Sequence, residues 1–231
     1  MVKEELIQRS PLRIFEQSIH GGLQAGEIGV IASQAGIGKT SVLVQLAMDK
    51  LLQGKKVIHV SFTKHTNHVL AWYEDIFDEF ICKKNLENAE DVKNDIVKNR
   101  VLMNFNQDVM SKDQIIRSLR AMIVDGGFAA ESIIIDGFDF SRLSAGWIGM
   151  FHDYIADIKA FAQELGLSVW YSCNVNGNGL YSGLIDLADV VIVLDPRKDH
   201  IELSVSKDRG SHDTKAMAML LDPKTLLISE T

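Results

Sequence analysis

The chain has 231 residues, and the 46% that are apolar are enough for one substantial core, so a single domain over residues 1–231 is expected. Its 24 basic against 31 acidic side chains leave a net charge of −7, which argues against a broad nucleic-acid footprint, and two isolated cysteines, Cys82 and Cys173, exclude a disulfide framework or a zinc ribbon. The polar opening MVKEELIQRSPLR is unlike a signal peptide and no apolar run is long enough to span a bilayer, so a cytoplasmic protein without a membrane partner is expected.

In chain order, the apolar run Ile28–Ala32 reads as a buried strand, and Ser41–Leu52 as a helix closed by Gly54. Between them lies the loop Ser33-Gln34-Ala35-Gly36-Ile37-Gly38-Lys39-Thr40. A strand, a glycine-bearing loop and a helix in this order form a phosphate cradle. Gly36 and Gly38 let the backbone curl around an anion, and the helix N-terminus faces it. Lys39 then reaches the β- and γ-phosphates, and Thr40 offers its hydroxyl to a shared Mg²⁺. The pattern departs from GxxxxGK[ST] at its first position, where Ser33 replaces glycine. Residues 33–41, Ser41 included, are the candidate nucleotide-binding residues.

Val57–Phe62 follows as a second strand, and Asn67 is placed as the cap of a helix with Leu70, Tyr73, Ile76, Phe77, Phe80 and Ile81 facing inward. The charged stretch Lys83–Arg100 reads as a solvated excursion. Val101–Phe105 is a strand. Ser111-Lys112-Asp113-Gln114 resembles a capping box opening a helix, with Ile115, Leu119, Met122 and Ile123 inward and Gly126-Gly127 at its end. Next come the strand Ser132–Ile135, the helix Ile148–Leu165 stopped by Gly166, and the strand Leu167–Ser172. This alternation predicts an α/β fold with a mostly parallel sheet, helices on both faces, and a ligand at the carboxyl ends of the strands. After Asp186 the runs Val190–Leu194, Ile201–Ser206, Ala216–Leu221 and Thr225–Ile228 have no helix between them. They predict antiparallel strands over about 190–231, with turns at Pro196–His200 and Asp222-Pro223.

The strand Ser132–Ile135 runs into Asp136, a carboxylate placed to hold Mg²⁺ with Thr40. Asp139, three residues on, could touch the metal shell or serve only as a turn residue. His65 and His68 in HTNH allow a general base or a zinc pair, although a surface turn explains them more simply.

The lead-in GGLQAGEIGVIAS, the loop AGIGKTS, and the strands VIHVSF, SIIIDGFD, SVWYSCN and ADVVIVLD followed by SVSKDRG together resemble the RecA-like P-loop ATPases, in particular the KaiC/DnaB-helicase/RadB group, from Leu12 to Ile228. The resemblance implies ATP and Mg²⁺ as ligands and puts Asn174 at a polar sensor position for the γ-phosphate. It makes Lys207 and Arg209 a K-x-R element reaching the nucleotide of a neighbouring subunit, hence a homo-oligomeric ring or filament, a hexamer among the options. Strand alternation would project Lys207 and Arg209 to the same side. Where active relatives carry a glutamate after the second strand, this chain reads Thr63-Lys64, so hydrolysis should be slow or lost.

The short, low-complexity loop Asn176–Gly183 carries no Lys or Arg, and Tyr181 alone could stack a base, which disfavours DNA binding. The expectation is therefore an ATP- and Mg²⁺-binding RecA/KaiC-like protein with at most weak ATPase activity. The alternative is a catalytically inactive regulatory or assembly module, with room for a protein partner. A DNA recombination or helicase accessory ranks third.

Overall fold

The computed structural model describes residues 10–62, 66–84, 89–140, 148–175 and 182–231. Six aliphatic, β-branched runs form parallel strands: β1 (Ile28–Ser33), β2 (Val57–Ser61), β3 (Arg100–Asn104), β4 (Ser132–Asp136), β5 (Ser168–Asn174) and β6 (Val190–Pro196). Their spatial order is β3-β2-β4-β5-β1-β6. Every residue of β1, β2 and β4 is buried, which is why these runs are apolar without alternation. Beyond β6 the chain folds back through antiparallel β7 (Ile201–Asp208), β8 (Lys215–Leu221) and β9 (Ile228–Glu230), and all nine strands belong to one sheet. The predicted α/β class, the parallel core and the antiparallel extension are all present.

Helices cover both faces. On one side α1 (Leu12–Ser18), α2 (Lys39–Leu52), α3 (Thr66–Lys84) and α4 (Ala89–Lys98) close over Phe15, Leu43, Met48, Tyr73, Ile134 and Trp170. On the other, α5 (Lys112–Arg120), α6 (Ile148–Leu165) and α7 (Ser182–Leu187) close over Ile58, Ile133, Tyr154, Ile158, Tyr171 and Val191. Adjacent residues of β2 and β4 point to opposite cores, as the two-residue strand period requires. In the centre of the sheet Trp170 lies across Gly29, where a Cβ would stand 2.4 Å from the indole, so the glycine is a packing requirement. Among the described residues no helix is long and apolar enough to cross a membrane.

Several boundaries differ from the sequence-based expectation, each for a local reason. Residues 89–98 of the expected excursion form α4, because Val92 and Ile96, one turn apart, bury themselves on the first core. Two inward-facing apolar residues in a charged stretch were too sparse a stripe to reveal it. Asn67 lies within α3 rather than capping it. The capping box does form: Ser111 Oγ accepts from the Gln114 amide at 3.3 Å, and Gln114 Oε1 accepts from the Ser111 amide at 2.8 Å. Its helix widens into a π-helical turn over Ala121–Asp125 before the two glycines.

The expected strand Thr225–Ile228 is mostly a turn. Asp222 Oδ1 accepts from the Lys224 amide at 2.7 Å, Leu226 takes a left-handed φ of +55°, and strand pairing begins only at Ile228. The short helix α7 precedes β6 in a stretch whose composition carried no helical stripe.

Candidate functional site

The loop between β1 and α2, the end of β4 and the end of β5 meet at the carboxyl edge of the parallel strands. They surround a cavity of about 330 Å³ whose lining includes Gly36, Lys39, Thr40, Trp72, Asp136 and Asn174. Residues from three separate predicted elements therefore converge on one space.

The cradle is set by its glycines. Gly36 and Gly38 have φ of +80° and +110°, and a Cβ on Gly38 would lie 2.8 Å from Leu221 Cδ2, so both backbone and packing demand glycine there. Gln34, Ala35 and Gly36 are exposed, while Ile37 turns onto the core beneath. Ser33 is buried at the strand end, where its small side chain stands in for the glycine of the motif.

Lys39 is 9% exposed, and its ammonium donates to Ser33 O at 3.2 Å, Ser33 Oγ at 3.2 Å and Gln34 O at 2.7 Å. All three acceptors are uncharged. Burial pulls the Lys39 pKa below its ordinary value, with the Asp136 carboxylate opposing the shift. Lys39 is thus a desolvated cation held only by neutral oxygens at the N-terminus of α2.

Thr40 Oγ1 donates to Asp136 Oδ2 at 2.8 Å across the cavity. Asp136 is 3% exposed and stands opposite Ser61 in the sheet register, and its backbone carbonyl accepts from the Phe62 amide at 2.9 Å. The next residue, Gly137, is tied by its amide to Ser172 Oγ at 2.9 Å, which fixes the turn after β4 against β5. Asn174 is in register with Ser33 and sits on the cavity wall. No group of three His, Cys, Asp or Glu side chains suited to a metal is found among the described residues. Asp139 is held through its backbone by Gln107 and does not line the cavity.

Ser41 behaves differently from its neighbours in the loop. Its hydroxyl bonds the Leu226 carbonyl, which also accepts from Gln45 Nε2 at 2.9 Å, while Gln45 Oε1 accepts from the Ile228 amide at 2.8 Å. Ser41 thus clamps the β8–β9 turn onto α2 and is not among the residues lining the cavity. Leu226 and Trp72 line the cavity and were missed by sequence reasoning. Trp72 could have been found as the large aromatic lying off the inward stripe of α3. Leu226 is brought in by a turn that resembled a strand.

Lys207 and Arg209 lie at the opposite, amino-terminal edge of the parallel strands. Lys207 is 6% exposed and caps α7 through Ile185 O at 2.8 Å and Asp186 O at 3.0 Å. Arg209 grips Glu27 through Nε at 2.8 Å and Nη2 at 2.9 Å, and also bonds Asp208, Ile19 O and Gly22 O. These contacts engage every N–H of its guanidinium.

The expectation that the two cations share a side is corrected. A bulge against β6 turns Lys207 toward α7, and Arg209 leaves the strand with φ of +55° and reaches the α1 side. Thr63, Lys64, His65 and Tyr181 lie outside the described residues, and so do the broken glutamate position and the general-base and base-stacking expectations attached to them. His68, the other half of the histidine pair, is exposed on α3.

No protein-family model matches the chain, and no curated protein sequence matches it. The chemistry therefore rests on the site itself.

Proposed function

We propose that this chain is a RecA/KaiC-like protein that binds ATP with Mg²⁺ at the cavity between β1, β4 and β5, with weak hydrolysis at most. The observation that carries the proposal is the meeting of Lys39, Thr40 and Asp136 in one cavity, with the Thr40 hydroxyl already bonded to the Asp136 carboxylate. Lys39 supplies charge for the β- and γ-phosphates, and the first-turn amides of α2 supply donors.

The donor set fits Mg²⁺. One hydroxyl and one carboxylate are hard oxygen ligands, and this ion takes the rest of its shell from water and phosphate, so a dedicated protein cage is not required. When bound, the ion neutralises phosphate charge and polarises the terminal phosphoryl group. Thr40 and Asp136 would hold it, and Asn174 stands where a side-chain amide can meet the terminal phosphate.

A second reading, a non-enzymatic module whose nucleotide state sets an assembly, is favoured by the state of Lys207 and Arg209. Both are bonded within their own chain, at the opposite edge of the sheet from their own phosphate loop. Any phosphate they met would belong to another copy in a homo-oligomer, and their internal bonds would first have to be exchanged.

Asp136→Asn tests the assignment. ATP affinity in Mg²⁺ should fall about tenfold or more, and affinity in EDTA should not fall. Equal losses in the two conditions would remove Asp136 from the metal site.

A further inference from the structure

A second buried polar group lies beside this site. His59, in the middle of β2, has 0% of its surface exposed. It shares a sheet face with Asp136: Val57 and Ile134 belong to the core under α2 and α3, while Ile58, Val60, Ile133 and Ile135 point to the other. His59 pairs with Ile134 and Ser61 pairs with Asp136. His59 and Asp136 are thus diagonal neighbours on one face.

The two ring nitrogens of His59 have different surroundings. Nδ1 lies 3.2 Å from the Tyr73 hydroxyl, and Tyr73 in turn carries the Arg100 guanidinium 4.2 Å from its ring centroid. Nε2 is buried with no hydrogen-bond partner among the described residues. Burial lowers the His59 pKa to about 4 and raises that of Tyr73, so the imidazole is neutral and the phenol protonated at neutral pH. The Tyr73 hydroxyl has no other acceptor among the described residues, so it donates to Nδ1, and the remaining ring proton sits on Nε2.

We propose that His59 is a positioning residue for Asp136, its Nε2–H orienting the carboxylate that Thr40 also holds, with Tyr73 fixing the tautomer. An apolar residue would fill this place without an orphaned donor, so a buried N–H one sheet diagonal from a carboxylate calls for a polar role. Nε2 makes no direct bond to the carboxylate, and one bridging water spans such a diagonal. Carboxylates that face metals are themselves held by neighbouring donors, and loss of such a donor costs metal affinity rather than phosphate affinity.

This inference rests on the Mg-ATP proposal, and its test separates the two. ATP affinity of the full chain is measured by calorimetry in Mg²⁺ and in EDTA for the wild type, His59→Leu, His59→Gln and Tyr73→Phe. The ratio of the two affinities is the metal enhancement. His59→Leu should reduce it roughly tenfold with the EDTA affinity unchanged. His59→Gln, which keeps a side-chain N–H, should recover most of it, and Tyr73→Phe should fall between.

A folded His59→Leu with the wild-type enhancement overturns the role of His59 and leaves the Mg-ATP proposal standing. Should His59→Leu fail to fold, Tyr73→Phe decides, an unchanged enhancement there counting against the role. A wild type with no enhancement overturns both.

Discussion

Lys39→Ala is expected to lower ATP affinity by at least about 100-fold while leaving the protein folded. The ammonium is the only side-chain cation among the described residues that line the cavity. It is buried, its pKa is depressed by desolvation, and its hydrogen bonds end on neutral oxygens of its own loop. Triphosphate oxygens would replace those acceptors with charged ones, and charge-assisted bonds contribute about 1.5–3 kcal/mol each, so losing two of them removes at least about two orders of magnitude in affinity. Stability should change little, because the alanine leaves Gln34 O near the exposed loop surface. Calorimetry beside a thermal melt checks both halves. Unchanged affinity in a folded variant would move any nucleotide site away from this loop.

The second large effect is acid destabilisation through His59. Its folded-state pKa is about 4, lowered chiefly by burial, against about 6.5 for an unfolded histidine. As pH falls from about 6.5 to 4, the unfolded chain takes up a proton that the native one does not. Stability is therefore full above about pH 7 and declines across that window by up to roughly 3 kcal/mol. Asp49 works in the opposite sense, because burial raises its pKa, so the two contributions must be separated. Urea unfolding of the wild type and His59→Leu from pH 4 to 8 does so. The stability difference between them should be constant above pH 7 and shift toward the variant below pH 6.5. A difference that does not vary with pH would mean that His59 titrates alike in the folded and unfolded chains, and a shift toward the wild type at low pH would mean that it is protonated in the folded protein.

The sheet and the glycine-bearing β1–α2 loop were legible because their signals are local. β1 and β4 are continuous apolar runs bounded by polar residues, and Gly36, Gly38, Lys39 and Thr40 form a contiguous motif in a strand-to-helix context. Asp136 was legible as the first polar residue after an apolar run, and its bond to Thr40 is the tertiary counterpart of that pattern.

What was hidden depends on packing between distant segments. Leu226 enters the site only because Ser41 and Gln45 fasten the β8–β9 turn, 181 residues beyond Gln45 in sequence. The separation of Lys207 from Arg209 follows from a bulge and a left-handed residue, neither of which a period-two pattern contains. His59 sits in an apolar strand as one polar letter. Its meaning comes from the helix residue Tyr73 above it and from the carboxylate on the neighbouring strand.

Calorimetric titration of ATP into the wild-type chain, in Mg²⁺ and again in EDTA, asks whether Lys39, Thr40 and Asp136 make a nucleotide site. A saturable one-to-one isotherm, markedly tighter with the metal, is expected. A folded protein that gives no saturable binding in either condition would contradict that assignment.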